Sequence, residues 1–335
     1  MLTVTLYTRK DCGLCDEVKA DLQSLEKQLP HRLVEVDIDS DPSLQKAFGE
    51  LIPVVEIGPY SLKAPITKQQ LHMTLGAALD RRGQLEKVGD ERYQSRVKRG
   101  QSFTPADRIS FWLSRHYLLL LNALVLFYVG LPFLAPVFMK VGAPVPARVI
   151  YAVYSPLCHQ FGFRSFFLFG EQAFYPLAEA SVPGAITFEE ATGLTDLQNP
   201  NSLSRLDARN FTGNEAMGYK VALCERDVAI YGGMLVFGLI FGLTRRRLPP
   251  LHWALWLVLG LGPIGLDGFS QLFSQFNWEF LSSFLPYRES TPFLRVFTGG
   301  IFGLCTAWFA YPNIEESMQE TRQFFAKKLA VLKTS

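Results

Sequence analysis

Four apolar runs, at about 112–139, 227–243, 251–268 and 293–311, constrain this 335-residue chain more than any other feature. Each is near the ~20 residues that a helix needs to cross the hydrocarbon of a bilayer. No comparable run lies before residue 110, so the chain divides into a water-soluble first part and a membranous second part. The length also favours two units over one. With a formal net charge of only +2, the composition argues against a nucleic-acid binder held by phosphate attraction. Five cysteines, two of them in a C-x-x-C pair, are too few for a disulfide framework and suit a reactive pair plus isolated thiols. Met1 to Leu6 runs directly into Tyr7-Thr8-Arg9-Lys10-Asp11 with no apolar leader core, so the first domain is expected in the cytoplasm.

Within the first part, Val4 to Tyr7 reads as a strand. Val18, Leu22, Leu25 and Leu29 form a helical stripe, and Cys12-Gly13-Leu14-Cys15 stands between the two. A cysteine where a strand opens into a helix meets unpaired backbone N–H groups and the positive end of the helix dipole, which favour its thiolate. Cys12 is therefore the expected nucleophile and Cys15, one turn further in, the resolving thiol. Strands at 33–38 and 54–57, a short helix at 42–48 and a closing helix at 67–79 complete the pattern. Pro53 precedes the 54–57 strand, where a cis bond would turn the chain beside the cysteine pair and present backbone to a thiol substrate.

Tyr7-Thr8-x-x-x-Cys12-x-x-Cys15 followed by Ile52-Pro53-Val54 resembles the short glutaredoxin-like family of the thioredoxin superfamily. The resemblance implies an α/β thioredoxin-like fold, βαβ then ββα, over residues 1–85. It also implies redox chemistry at Cys12 and Cys15 with Pro53 aligning the substrate. A structural zinc would need a second ligand pair, and none lies in this domain. Gly13-Leu14 stands where dithiol glutaredoxins have Pro-Tyr and thioredoxins Gly-Pro, which leaves glutathione and a protein thiol open as partner and reductant. Arg9 and Lys10 are candidates to attract a glutathione carboxylate.

Residues 86–110 are charged and poorly periodic, as expected of a juxtamembrane linker; an all-α multi-span domain follows at 111–312 and a cytoplasmic tail at 313–335. Arg245-Arg246-Arg247 after the second run and Lys327-Lys328 in the tail fit four spans with both ends inside. A further crossing at 148–170 would put the arginine triplet outside, so that segment is expected to be re-entrant or interfacial. Residues 171–223, rich in turn formers, read as an outer loop.

Costly polar residues mark the membranous part: Cys158-His159-Gln160, Arg164-Ser165-Phe166, Cys224-x-Arg226-Asp227, Asp267-Gly268-x-x-Gln271, Arg288-Glu289-Ser290 and Arg295. In this order they resemble an uncharacterised prokaryotic membrane-protein family. That implies a multi-pass protein of the prokaryotic inner membrane, in contact with lipid, without specifying an activity. Many relatives carry Cys-x-Arg-Cys where this chain has Asp227. Three readings of the thiols stand side by side. Cys158, His159, Cys224 and Asp227 bind a divalent metal such as zinc; Cys158 and Cys224 form a redox pair; or both pack as small apolar residues. Asp267 with Arg288 or Arg295 is expected to be a structural ion pair. Cys305 is expected to be inert, His31, His72 and His252 exposed. The leading expectation is a membrane-anchored thiol-disulfide oxidoreductase. The alternative is a metal-binding or transport protein carrying a glutaredoxin-like module. No phosphate-binding loop, Ser-His-Asp arrangement or H-E-x-x-H supports a hydrolase or an ATP-driven machine.

Overall fold

The computed structural model describes residues 1–100, 102–199, 202–275 and 287–333. The chain folds as two compact units, Met1–His116 with Glu316–Ser335, and Tyr117–Glu315.

In the first unit, β1 (Leu2–Thr8), α1 (Gly13–Leu25), β2 (His31–Asp37), α2 (Pro42–Phe48), β3 (Val54–Ile57), β4 (Tyr60–Lys63) and α3 (Lys68–Val88) follow in order. The sheet order is β2-β1-β3-β4, with β1 parallel to β2 and antiparallel to β3. This is the expected thioredoxin-like arrangement. Val18, Leu22 and Leu25 of α1 share one face of the sheet with Leu71, Leu75 and Ala78 of α3, which buries the apolar stripe of each helix. The Thr67 hydroxyl accepts from the Gln70 N–H while Gln70 bonds back to Thr67 N, a capping box that starts α3. Gly89, with φ 68°, ends it in the left-handed conformation.

The opposite face of the sheet is covered by Leu44 and Phe48 together with Phe111, Ala326, Ala330 and Val331. Segments on either side of the apolar runs therefore complete the first domain. They are also tied to it by polar contacts. Lys327 Nζ reaches Glu56 at 2.7 Å, Arg115 reaches Asp41 at 2.6 Å, and Lys328 pairs with Asp107 at 2.8 Å. Among the described residues, the linker is mostly helical and the tail wholly so. Residues 91–100 form α4 (Glu91–Gly100), and the last apolar run continues unbroken into the tail. The reason is compositional: both stretches are rich in Glu, Gln, Arg, Lys and Ala, which favour helix without requiring an apolar stripe. His31, expected at the surface, is buried, its ring nitrogen Nδ1 2.7 Å from the Leu29 carbonyl at the start of β2.

After α4 come α5 (Pro105–Lys140), α6 (Pro144–Tyr154), α7 (Phe188–Thr192), α8 (Leu203–Asn210), α9 (Glu225–Leu243), α10 (Trp253–Ser274) and α11 (Pro292–Lys333); among the described residues, four of these, α5, α9, α10 and α11, are long and apolar enough to cross a membrane. No more than a third of any of the four apolar stretches is buried by protein. Leu124, Phe127, Leu239, Val258, Leu266 and Phe293 all face outward, and lipid is the solvent that such surfaces require. Gly233 and Gly303 let α9 and α11 touch backbone to backbone: a Cβ at Gly303 would overlap the Ile230 carbonyl, and one at Gly233 the Gly300 carbonyl. At eleven residues, or about 16 Å, α6 is too short to span a bilayer.

Residues 171–223 differ from the expected loop. They hold α7, α8, β6 (Gly213–Asn214) and β7 (Gly218–Cys224), and β7 pairs antiparallel with both β6 and β5 (Ser165–Leu168). The membrane domain is thus helical in its spans but carries a small sheet. Its core joins Phe163, Phe167, Tyr175, Leu177, Phe188 and Met217, residues scattered over more than fifty positions. Such a core has no local period, which is why hydrophobic periodicity does not reveal it.

Candidate functional site

Cys12 is the N-cap residue of α1, with its carbonyl accepting the N–H groups of Cys15 and Asp16. The two cysteines are joined by a disulfide, with Cα atoms 5.3 Å apart. Cys12 is partly exposed and Cys15 only 1% exposed, so an outside reagent meets Cys12 first. The β1–β3 register sets Tyr7 opposite Val54, which brings Pro53 to the same end of the sheet as the cysteine loop. The Ile52–Pro53 bond is cis. Lys10 is exposed beside the pair, whereas Arg9 is engaged by Asp39 at 3.1 Å.

A second constellation lies in the membrane domain. β7 delivers Cys224 to the N-cap of α9, where its Sγ accepts the Asp227 N–H at 3.5 Å. The short segment after α6 brings up Cys158, and the Sγ atoms of Cys158 and Cys224 and a carboxylate oxygen of Asp227 all lie within 4.8 Å of one another. The Cys224 thiol donates to Cys158, which pulls Cys158 below the ordinary thiol range; sharing that proton, together with burial, drives Cys224 well above it. Cys158 is thus the more acidic thiol of the pair. A cavity of about 300 Å³ opens on them, lined also by His159, Gln160, Arg164, Arg226, Gln271 and Arg295. His159 lines this cavity but stands outside the three-ligand group; its ring is exposed and stacks on Phe161 at 5.8 Å. Gln160, at φ 53°, is turned inward and donates to the carbonyls of Tyr151 and Ala222, both at 3.0 Å.

The remaining polar residues form two ionic clusters. Asp267 is held by Arg226 at 2.6 Å, by Arg288 at 2.7 Å and by the Ser290 hydroxyl. Glu289 receives both Nε and Nη2 of Arg164, at 2.8 and 2.9 Å, the Gln271 amide at 2.8 Å, and Arg295. Arg295 also reaches Glu225 at 3.3 Å. Asp267 therefore pairs with Arg288, as one expectation had it, and not with Arg295, which the helix geometry directs to the glutamates. Sequence reasoning passed over Glu225, Lys220, Arg205 and Arg209. The signals were present for two of them: Glu225 lies inside the Cys-x-Arg motif at the opening of an apolar run, and Lys220 interrupts an otherwise apolar strand. Lys220 is buried, donates to the Gln160 and Arg209 carbonyls, and has its pKa brought down to about 7, chiefly by burial.

Fold and dithiol together define a thioredoxin-fold domain with a C-x-x-C pair, joined to a multi-span membrane domain. Comparison with known families says the same: residues 3–76 match the glutaredoxin-like domain (DUF836), and residues 205–309 match a predicted membrane protein family (DUF2085). The chain is a fusion of the two. The uncharacterized protein MJ1492 of Methanocaldococcus jannaschii is 26% identical over 208 residues, which cover 60% of this chain and 93% of that protein. No solved structure matches.

Proposed function

We propose that this protein is a membrane-anchored thiol-disulfide oxidoreductase working through Cys12 and Cys15. The observation that carries this reading is a partly exposed cysteine at the N-cap of a helix, bonded to a buried one a single turn away. In the reduced protein, the Cys12 thiolate attacks one sulfur of a substrate disulfide. A Cys12–substrate disulfide forms and the other substrate sulfur departs as a thiolate. Cys15 then attacks Cys12, the second substrate sulfur leaves, and the Cys12–Cys15 disulfide remains. The substrate has gained two electrons, and two equivalents of a thiol reductant of the glutathione class restore the pair. Pro53 aligns the substrate, and Lys10 offers its charge to a carboxylate of the thiol partner; Arg9, already held by Asp39, contributes less. Four spans among the described residues, with residues 105–116 and 316–333 folded onto the same domain, support both ends lying on one side of the membrane. The arginine triplet at 245–247 supports that side being the cytoplasm.

The test is Cys15→Ser in the full chain. Stripped of its resolving thiol, the variant is expected to accumulate a mixed disulfide between Cys12 and its partner, recovered from cells by acid quenching and identified by mass spectrometry. Absence of any Cys12 adduct under oxidising conditions removes the exchange mechanism.

A second reading applies to the membrane domain, because Cys158, Cys224 and Asp227 present three ligand atoms on one cavity. Two thiolates and a carboxylate suit zinc, with the cavity as an open fourth position. Protein purified from zinc-replete cells is expected to carry about one zinc per chain, lost in Cys158→Ser and in Asp227→Asn. Zinc retained in both variants, or a Cys158–Cys224 disulfide found in intact cells, disposes of this reading.

A further inference from the structure

Beside the thiol cavity lies a second one of about 310 Å³, lined by His159, Phe161, Arg164, Arg205, Arg209 and Gln275 among others. Three guanidinium groups and an imidazole converge on it, and among the described residues no carboxylate lines it. Arg164 is neutralised by Glu289, and Arg209 donates to the carbonyl and hydroxyl of Ser155. Arg205 is different. It is 9% exposed, its guanidinium lies 5.4 Å from the Phe161 ring centre, and its Nε is buried without a hydrogen-bond partner. Among the described residues, no carboxylate stands within ion-pair distance of it. A buried, unpaired cation is costly, and a chain retains one where a counter-charge arrives from outside.

We propose that this cavity binds an oxyanion, the phosphate or carboxylate of a small ligand or of a lipid headgroup, with Arg205 and Arg209 as its principal donors. A planar guanidinium suits such a group because it offers two parallel N–H donors. His159, Phe161 and Arg164 line both this cavity and the thiol cavity. A ligand anchored here by its anion therefore has its remaining atoms beside Cys158 and Asp227.

The site is tested on the full-length protein in uncharged detergent by thermal unfolding in sodium phosphate against sodium chloride at equal ionic strength. Phosphate is expected to raise Tm by about 2–4 °C. Arg205→Met is expected to lose that response while unfolding no lower than wild type in chloride, since it removes an unpaired charge. Arg81→Gln, exposed and in the other unit, is expected to keep it. Should Arg205→Met fail to fold, Arg209→Met carries the same test. A rise with phosphate that Arg205→Met abolishes identifies a soluble oxyanion. A rise with phosphatidylglycerol micelles alone, abolished by the same variant, identifies a lipid headgroup. Wild type indifferent to both, or Arg205→Met responding as wild type does, overturns the proposal.

Discussion

Cys12→Ser is expected to lower the reduction of a small disulfide substrate by on the order of a thousand-fold or more. A serine hydroxyl does not ionise near neutral pH, and its oxygen does not displace sulfur from a disulfide. Cys15 cannot substitute for it, being 1% exposed and walled in by the α1 core. The variant also separates chemistry from folding. Cys12 makes no side-chain cap to α1, whereas serine is among the favoured N-cap residues. Cys12→Ser should therefore match the reduced wild-type protein in stability to within about 1 kcal/mol. The comparison must use the reduced form, because the oxidised protein has in addition a loop closed by the disulfide. Turnover of hydroxyethyl disulfide with a thiol reductant, followed for both proteins, is the measurement. Activity within tenfold of wild type would mean that the exchange occurs at other cysteines.

The first domain was legible because each of its signals is local. A helix stripe, a C-x-x-C at a strand-to-helix junction and a proline before a strand each span only a few residues, and the structure places them as read. The four spans were legible for the same reason: an apolar run of bilayer length needs no partner to be recognised. The insert between β5 and α9 was not. Its core joins Phe163 and Phe167 to Tyr175, Phe188 and Met217, and only the closed chain brings them together. The thiol site falls between these cases. Cys158 and Cys224 could be singled out as costly residues, but that Asp227 joins them and His159 does not depends on geometry. Asp227 is carried by the first turn of α9, three residues beyond Cys224, whereas His159 turns outward to stack on Phe161. Arg205 gave no signal at all. It lies in a polar helix that resembles a solvated one until the fold buries one side of it.

Glu289→Ala is expected to destabilise the membrane domain by about 3–5 kcal/mol, the cost of breaking a buried ion pair from one side. Glu289 is 3% exposed and receives five hydrogen bonds, from Arg164 twice, Gln271, Gln275 and Arg295. Its loss leaves Arg164 without its carboxylate and Arg295, itself 3% exposed, dependent on Glu225 alone. In water, such arginines would be rehydrated and the effect would fade to the ~0–1 kcal/mol of a surface pair. Here Arg295 is almost fully buried while Arg164 keeps 25% of its side chain exposed, so desolvation dominates at Arg295 and acts more weakly at Arg164. Against a total stability of roughly 5–15 kcal/mol, a loss of this size takes much of the folded population. Glu289→Gln keeps the shape and some of the hydrogen bonds but loses the charge, so it should fall between Glu289→Ala and wild type. Adding Arg164→Met to Glu289→Gln should recover part of the loss, since it removes one of the two orphaned charges. Unfolding of the purified protein by heat and by denaturing detergent measures the series. If Glu289→Ala unfolds within about 1 kcal/mol of wild type, water reaches the cluster and its ion pairs behave as surface pairs.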